Sequence, residues 1–252
     1  VDDAAAAAAA RGVIPRAIEQ LFARGEQLAA HEWRYTFSVS FVEVYNEGLF
    51  DLLAADGRGV AQRLALRIDE RKQPVVDGAR VVDVAEPAHA LELLRTAASN
   101  RATAATACNE RSSRSHSVFR LAAVMHNERL GKRMRGHLNL IDLAGSERVA
   151  RSKSEGERFK EAVAINKSLT CLGDVIAALA NNERHIPYRN SKLTHLLSGH
   201  GGLGGNSKTL MIVAVKGDEA DVAESTNSLR FASKVNACEI GTARRVQRVT
   251  FD

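Results

Sequence analysis

The sequence predicts an α/β fold in one domain, because segments of two different periods interleave along it. Apolar and polar residues alternate over Tyr35 to Val44, with Phe37, Val39 and Phe41 on one face, and Leu138 to Leu143 is a short apolar run that suits a strand buried on both faces. Helical spacing recurs in three places: Ile14, Ile18, Leu21, Phe22 and Leu28; then Leu91, Leu93, Leu94 and Ala98; then Ile165, Leu169, Leu172, Ile176 and Leu179. Strands and helices that alternate in this way bury their apolar faces in layers. A chain of 252 residues, 45% hydrophobic, is long enough for one sizeable core.

Taken in order, residues 1–11 hold two acids and an alanine run, a low-complexity loop or ragged end with no apolar partner. The first helix starts in Gly12-Val13-Ile14-Pro15, with Pro15 in the first turn, where a missing N–H costs nothing. The strand over Tyr35 to Val44 runs into Tyr45-Asn46-Glu47-Gly48-Leu49-Phe50-Asp51-Leu52-Leu53, a strand leading into a capped turn. From Ala54 to Val84 the chain reads as a polar loop and short strands, with Leu64, Leu66 and Ile68 alternating and a turn at Asp77-Gly78. Glu86-Pro87 caps a helix from about Ala88 to Asn100. Phe119 to His126 is a strand, and a basic hairpin turn through Gly131 follows it. After a charged loop over Val149 to Arg158 comes the third helix. A strand is expected over Leu210 to Val215 and a last helix from near Ala223, before a basic tail over residues 242–252.

The chemistry gathers at the end of the Leu138 strand. That strand delivers Asp142, and Ala144 and Gly145 then turn the chain. A carboxylate at a strand terminus followed by glycine suits a phosphate-Mg²⁺ site: the acid can hold the metal or its waters, and glycine lets a backbone N–H approach a phosphate with no Cβ in the way. A second stretch, Asn109-Glu110-Arg111-Ser112-Ser113-Arg114-Ser115-His116, supplies hydroxyl donors and a guanidinium able to pair with a carboxylate across the site.

Together these stretches resemble the two nucleotide-sensing switches of the kinesin motor domain, D-L-A-G-S-E-R and N-x-x-S-S-R-S-H, with every fixed letter present. The resemblance extends through Tyr45 to Leu53, through Glu161 to Leu179 as the relay helix, and through His185-Ile186-Pro187-Tyr188-Arg189-Asn190-Ser191-Lys192-Leu193-Thr194 as the second tubulin-binding element. It covers about Gly12 to Gly241, and it implies a three-layer fold of the P-loop NTPase type with a mixed, mostly parallel sheet between helices. The family's roles fall on Arg114, Gly145 and Glu147 for catalysis, with Arg114 paired to Glu147. They fall on Asn109, Ser112, Ser113, Ser115, His116, Asp142 and Ala144 for binding ATP, with Ser113 and Asp142 beside Mg²⁺. Its microtubule contacts fall on Lys153, Lys160, Lys167, Arg184, His185, Tyr188, Arg189 and Lys192. The block Glu224 to Ala232 with the tail after it resembles the class whose motor is C-terminal and moves toward the minus end. That class implies dimerisation, with itself or a related chain, through an upstream coiled coil, and a place on cytoplasmic microtubules, including the spindle.

The family's phosphate-binding loop, G-x-x-x-x-G-K-[ST], is not among these 252 residues. Lys208-Thr209 does not replace it, since Ser207 stands where the loop requires glycine. The expectation is therefore an incomplete motor domain that does not hydrolyse ATP by itself, or else a non-catalytic pseudo-motor that binds microtubules whatever the nucleotide. A formal charge of +5 favours an anionic partner. With only 5% aromatic residues the chain lacks stacking platforms for nucleic acid. No apolar run is expected to reach the ~20 residues of a membrane span. Cys108, Cys171 and Cys238 are too far apart for a C-x-x-C metal site and suit a reducing compartment.

Overall fold

The computed structural model describes residues 12–54, 62–105, 111–146, 157–199 and 202–238. The element order is α1 (Val13–Ala29), β1 (Arg34–Tyr45), β2 (Gly48–Asp51), β3 (Ala65–Ile68), β4 (Pro74–Asp77), β5 (Val82–Val84), α2 (Pro87–Ala105), β6 (His116–Asn127), β7 (Lys132–Asp142), α3 (Glu157–Ala180), α4 (Lys192–Leu196) and α5 (Val222–Asn236). The main sheet runs β2-β1-β6-β7 with β5 also paired to β1, and β3 and β4 form a separate hairpin.

Three layers follow from the two faces of the central strands. On β1 the odd positions Phe37 and Val39, joined by Phe119 and Leu121 of β6, meet Ile18 and Phe22 of α1 and Ala90, Leu93 and Ala97 of α2. The even positions Val42, Val44 and Val118 meet Leu172, Val175 and Ile176 of α3 and Leu193 and Leu196 of α4. Strand periodicity of two thus gives each strand two buried faces, and the helices sort onto opposite sides. Phe22 and Tyr35 stack around Phe37, with ring centroids 4.7 and 5.1 Å away. On the other side the Cys238 thiol, just past α5, lies 3.4 Å from the Ile176 carbonyl of α3.

The α/β class and the layering match expectation, but four details differ. Every ladder among the described residues is antiparallel, where mostly parallel pairing was expected. For β1–β2, β3–β4 and β6–β7 the connections explain this, because sequential strands that turn back through short loops can only be antiparallel neighbours; β1 pairs β5 and β6 antiparallel through longer connections. Leu210 to Val215 forms no ladder among the described residues, and Leu210 and Ile212 stand 86% and 78% exposed. Nor is β7 buried on both faces, because β6 is its only described neighbour and Ile141 reaches solvent. Finally, α3 is by length and composition apolar enough over Phe159–Ala180 to cross a membrane. Alanine, leucine and isoleucine fill its core face, while Lys160, Glu161, Lys167 and Asp174 interrupt it, as in a core helix of a layered fold.

Candidate functional site

The two polar loops meet where the sequence puts them, at one end of β6 and β7. Residues Arg111–Arg114 form a 3-10 turn that runs straight into β6 at His116. Since Ser117 of β6 pairs with Asp142 of β7, the register brings the serine-rich loop beside the acid. The Gly145 N–H donates to the Ser113 carbonyl at 3.0 Å, so the loops are joined main chain to main chain.

His116 ties this junction to α3. Its ring is buried, its Nδ1 accepts the Ala144 N–H at 3.0 Å, and its Nε2 lies 2.8 Å from the Ser168 hydroxyl. An amide can only donate, so Nδ1 must be bare and Nε2 must carry the proton toward Ser168 Oγ. The Ser168 hydroxyl in turn donates to the Ile165 carbonyl at 2.7 Å. This chain works only with neutral imidazole. Burial lowers the His116 pKa from 6.5 to about 4; Asp142 pulls the other way and Arg101 adds to the lowering.

Charge is arranged around the same point by residues that sequence reasoning missed. Arg101, near the end of α2, lies 3.7 Å from Glu43 Oε1 and 3.3 Å from Asp142 Oδ2. Its other nitrogen donates to the Ser115 carbonyl and hydroxyl, both at 3.1 Å. One guanidinium therefore spans β1, the serine loop and the β7 acid. The missed signal was Glu43: a carboxylate set among Phe41, Val42 and Val44 falls on a core face and must find a buried cation. Arg114 pairs with Glu161 of α3 at 3.1 Å, and the Tyr45 hydroxyl donates to the other Glu161 oxygen. The expected Arg114 partner, Glu147, lies outside the described residues, as do Asn109 and Lys153. So does the side chain of Ser112.

These residues fit Mg²⁺ and phosphate. Asp142 is two-thirds exposed at the mouth of the site, and Ser113 is exposed beside it. One carboxylate and a hydroxyl form the sparse hard-oxygen set with which proteins hold Mg²⁺ alongside phosphate and water. No cluster of three or more His, Cys, Asp or Glu among the described residues could hold a metal unaided.

The remaining predicted residues lie on the α3 and α4 side. Lys160 and Lys167 are exposed and two turns apart on α3, and Arg184, His185 and Arg189 are exposed in the segment that follows. Lys192 is half-buried at the start of α4. Tyr188 is tethered, its hydroxyl donating to the Leu203 carbonyl at 2.8 Å, and burial raises its pKa.

Two linked loops over a strand-end acid, wired to a long helix on the opposite layer, define a three-layer α/β protein of the nucleotide-switch kind. The family model described as the kinesin motor domain matches residues 4–238, and the chain belongs to that family. It is 49% identical over 243 residues to Kinesin-related protein 2 of Dictyostelium discoideum, covering 93% of this chain and 30% of the relative. It is 49% identical over 234 residues to Carboxy-terminal kinesin 2 of Xenopus laevis, covering 92% and 36%. Among solved structures, a KIF14 dimer with AMP-PNP in complex with a microtubule superposes with a TM-score of 0.80 at 41% identity, covering 90% of this chain and 65% of that one. The chain thus spans about a third of the length of the curated relatives it matches.

Proposed function

We propose that this chain is part of a microtubule-binding, ATP-driven motor of the C-terminal, minus-end-directed class. The observation that carries the reading is the His116 bridge: one neutral ring holds the turn after Asp142 to the helix that leads to the cationic face. A change in the spacing of the two loops therefore has a rigid path to α3 and α4. Asp142 and Ser113 would hold Mg²⁺, whose charge together with the phosphate loop neutralises the transferring phosphoryl group in enzymes of this fold. The chain's own residues then orient and exclude: Arg101 keeps Asp142 at the mouth, and Arg114 closes the serine loop against a carboxylate. The cationic residues Lys160, Lys167, Arg184, Arg189 and Lys192 would meet the acidic tubulin surface. Dimerisation through a coiled coil and a place on cytoplasmic and spindle microtubules complete the proposal.

These 252 residues contain no G-x-x-x-x-G-K-[ST] run. We expect them, isolated, to show no microtubule-stimulated ATP hydrolysis, because the cradle and its lysine supply several kcal/mol of charge stabilisation. The test compares ATP turnover, with and without microtubules, for this chain alone and for a longer protein carrying such a loop upstream. Turnover by the isolated chain would refute the division of labour proposed here. Tight co-sedimentation that ignores nucleotide in both proteins would favour a pseudo-motor.

A further inference from the structure

The hairpin between β1 and β2 turns on Asn46 and Glu47, both left-handed with φ of 48° and 54°, while Tyr45 and Gly48 pair across it. Two-residue turns of this hand favour asparagine, aspartate or glycine, so Asn46 fits and Glu47 is strained. The turn itself gains nothing from a glutamate. Its carboxylate leaves the hairpin and accepts the Lys192 amide N–H at 3.1 Å, joining residues 145 positions apart. Lys192 opens α4, and Ser191, the residue before it, accepts the Thr194 N–H at 3.1 Å. Between them, Glu47 and Ser191 satisfy two of the amides that a helix start leaves without partners.

We propose that Glu47 is a positioning residue: it holds the Tyr188–Leu196 segment, and with it Arg189 and Lys192, at a set distance from the switch loops. The location supports this, since Glu47 lines one small cavity with Val44, Arg114, His116, Ile165 and Ser168. The hairpin therefore touches the loop-to-helix junction at its base and reaches α4 with its carboxylate. Within α4, Thr194 Oγ1 donates to the Tyr188 carbonyl at 2.7 Å, so fixing the Lys192 peptide fixes the turn that carries Arg189. Backbone strain kept at Glu47 is what a positional, rather than merely conformational, role for its carboxylate requires. Where it invokes tubulin, the inference rests on the microtubule-binding reading above.

Glu47→Gly and Glu47→Gln separate this role from a purely structural one. Glycine relieves the left-handed strain but removes the carboxylate; glutamine keeps an acceptor in place. In the full protein, amide hydrogen exchange at residues 192–196 is expected to quicken roughly fivefold in Glu47→Gly, the change that loss of an ordinary helix cap implies, and to stay near parental in Glu47→Gln. Microtubule affinity should fall by a similar factor in Glu47→Gly alone, with its thermal midpoint unchanged or raised. Parental exchange in Glu47→Gly, equal quickening in both variants, or an affinity loss that tracks a lowered midpoint would each overturn the inference. If the unsubstituted protein does not bind microtubules in any nucleotide state, the functional reading fails, and the exchange measurement still decides the role of Glu47.

Discussion

At the scale of single residues, the site depends on groups whose charge state burial has chosen. His116 is neutral in the folded chain, with a pKa of about 4 against 6.5 when unfolded. Between those values the unfolded chain binds more protons, so the stability present above pH 6.5 is lost as pH falls toward 4. The full loss is on the order of 3 kcal/mol. Urea denaturation across that range should show the loss in the parent and a flatter profile in His116→Gln; parallel profiles would exclude the neutral, pKa-lowered state of the ring. Arg101 carries a different kind of dependence, because Glu43 has no exposed surface. Arg101→Leu is expected to cost about 3 kcal/mol by removing the cation beside that buried carboxylate, and adding Glu43→Gln should recover part of it. The sequence marked His116, Asp142 and Gly145 as neighbours through their motifs. It did not mark Arg101, because an arginine late in a helix reads as solvated until the strand opposite is known to bury a glutamate.

At the scale of elements, the long helices were legible because a period of 3.6 needs no partner to be recognised; α1 and α5 begin within a residue or so of expectation, α3 starts four residues earlier and α2 runs five residues further. Strands were harder. Alternation at Leu210, Ile212 and Ala214 satisfies the pattern of a strand, yet a strand exists only when a neighbour accepts its hydrogen bonds, and no sequence rule supplies the neighbour. The same limit hid the antiparallel ladders. The α4 segment shows how tightly a short element can be fixed: Gly204 has φ of 86°, and a Cβ there would lie 2.5 Å from the Tyr188 hydroxyl. Gly204→Ala is therefore expected to lower stability by about 1–3 kcal/mol and to displace Tyr188, which loss of protection of the Tyr188 ring environment in near-ultraviolet circular dichroism would report.

At the scale of the whole molecule, the apolar side chains left outward decide how it behaves in solution. Leu210, Ile212 and Val215 are exposed along one segment that forms no ladder among the described residues, and β7 offers an edge with no described neighbour. In these 252 residues taken alone, such a surface is expected to favour association with copies of itself. Replacing Leu210 and Ile212 together with lysine should reduce self-association in light scattering while leaving the unfolding free energy within about 0.5 kcal/mol of the parent. The proposed tubulin contacts give a second bulk property: binding carried by exposed lysines and arginines should weaken steeply as salt rises past about 0.1 M. A third lies in the thiol past α5. Cys238 is half-buried against the carbonyl of Ile176, and burial raises its pKa, so its reaction is expected to be slowed while α5 stays packed on α3. Its rate of alkylation, followed residue by residue in a mass spectrometer, is then a stopwatch for how often the last helix lifts from the relay helix. The chain carries that clock without any added label.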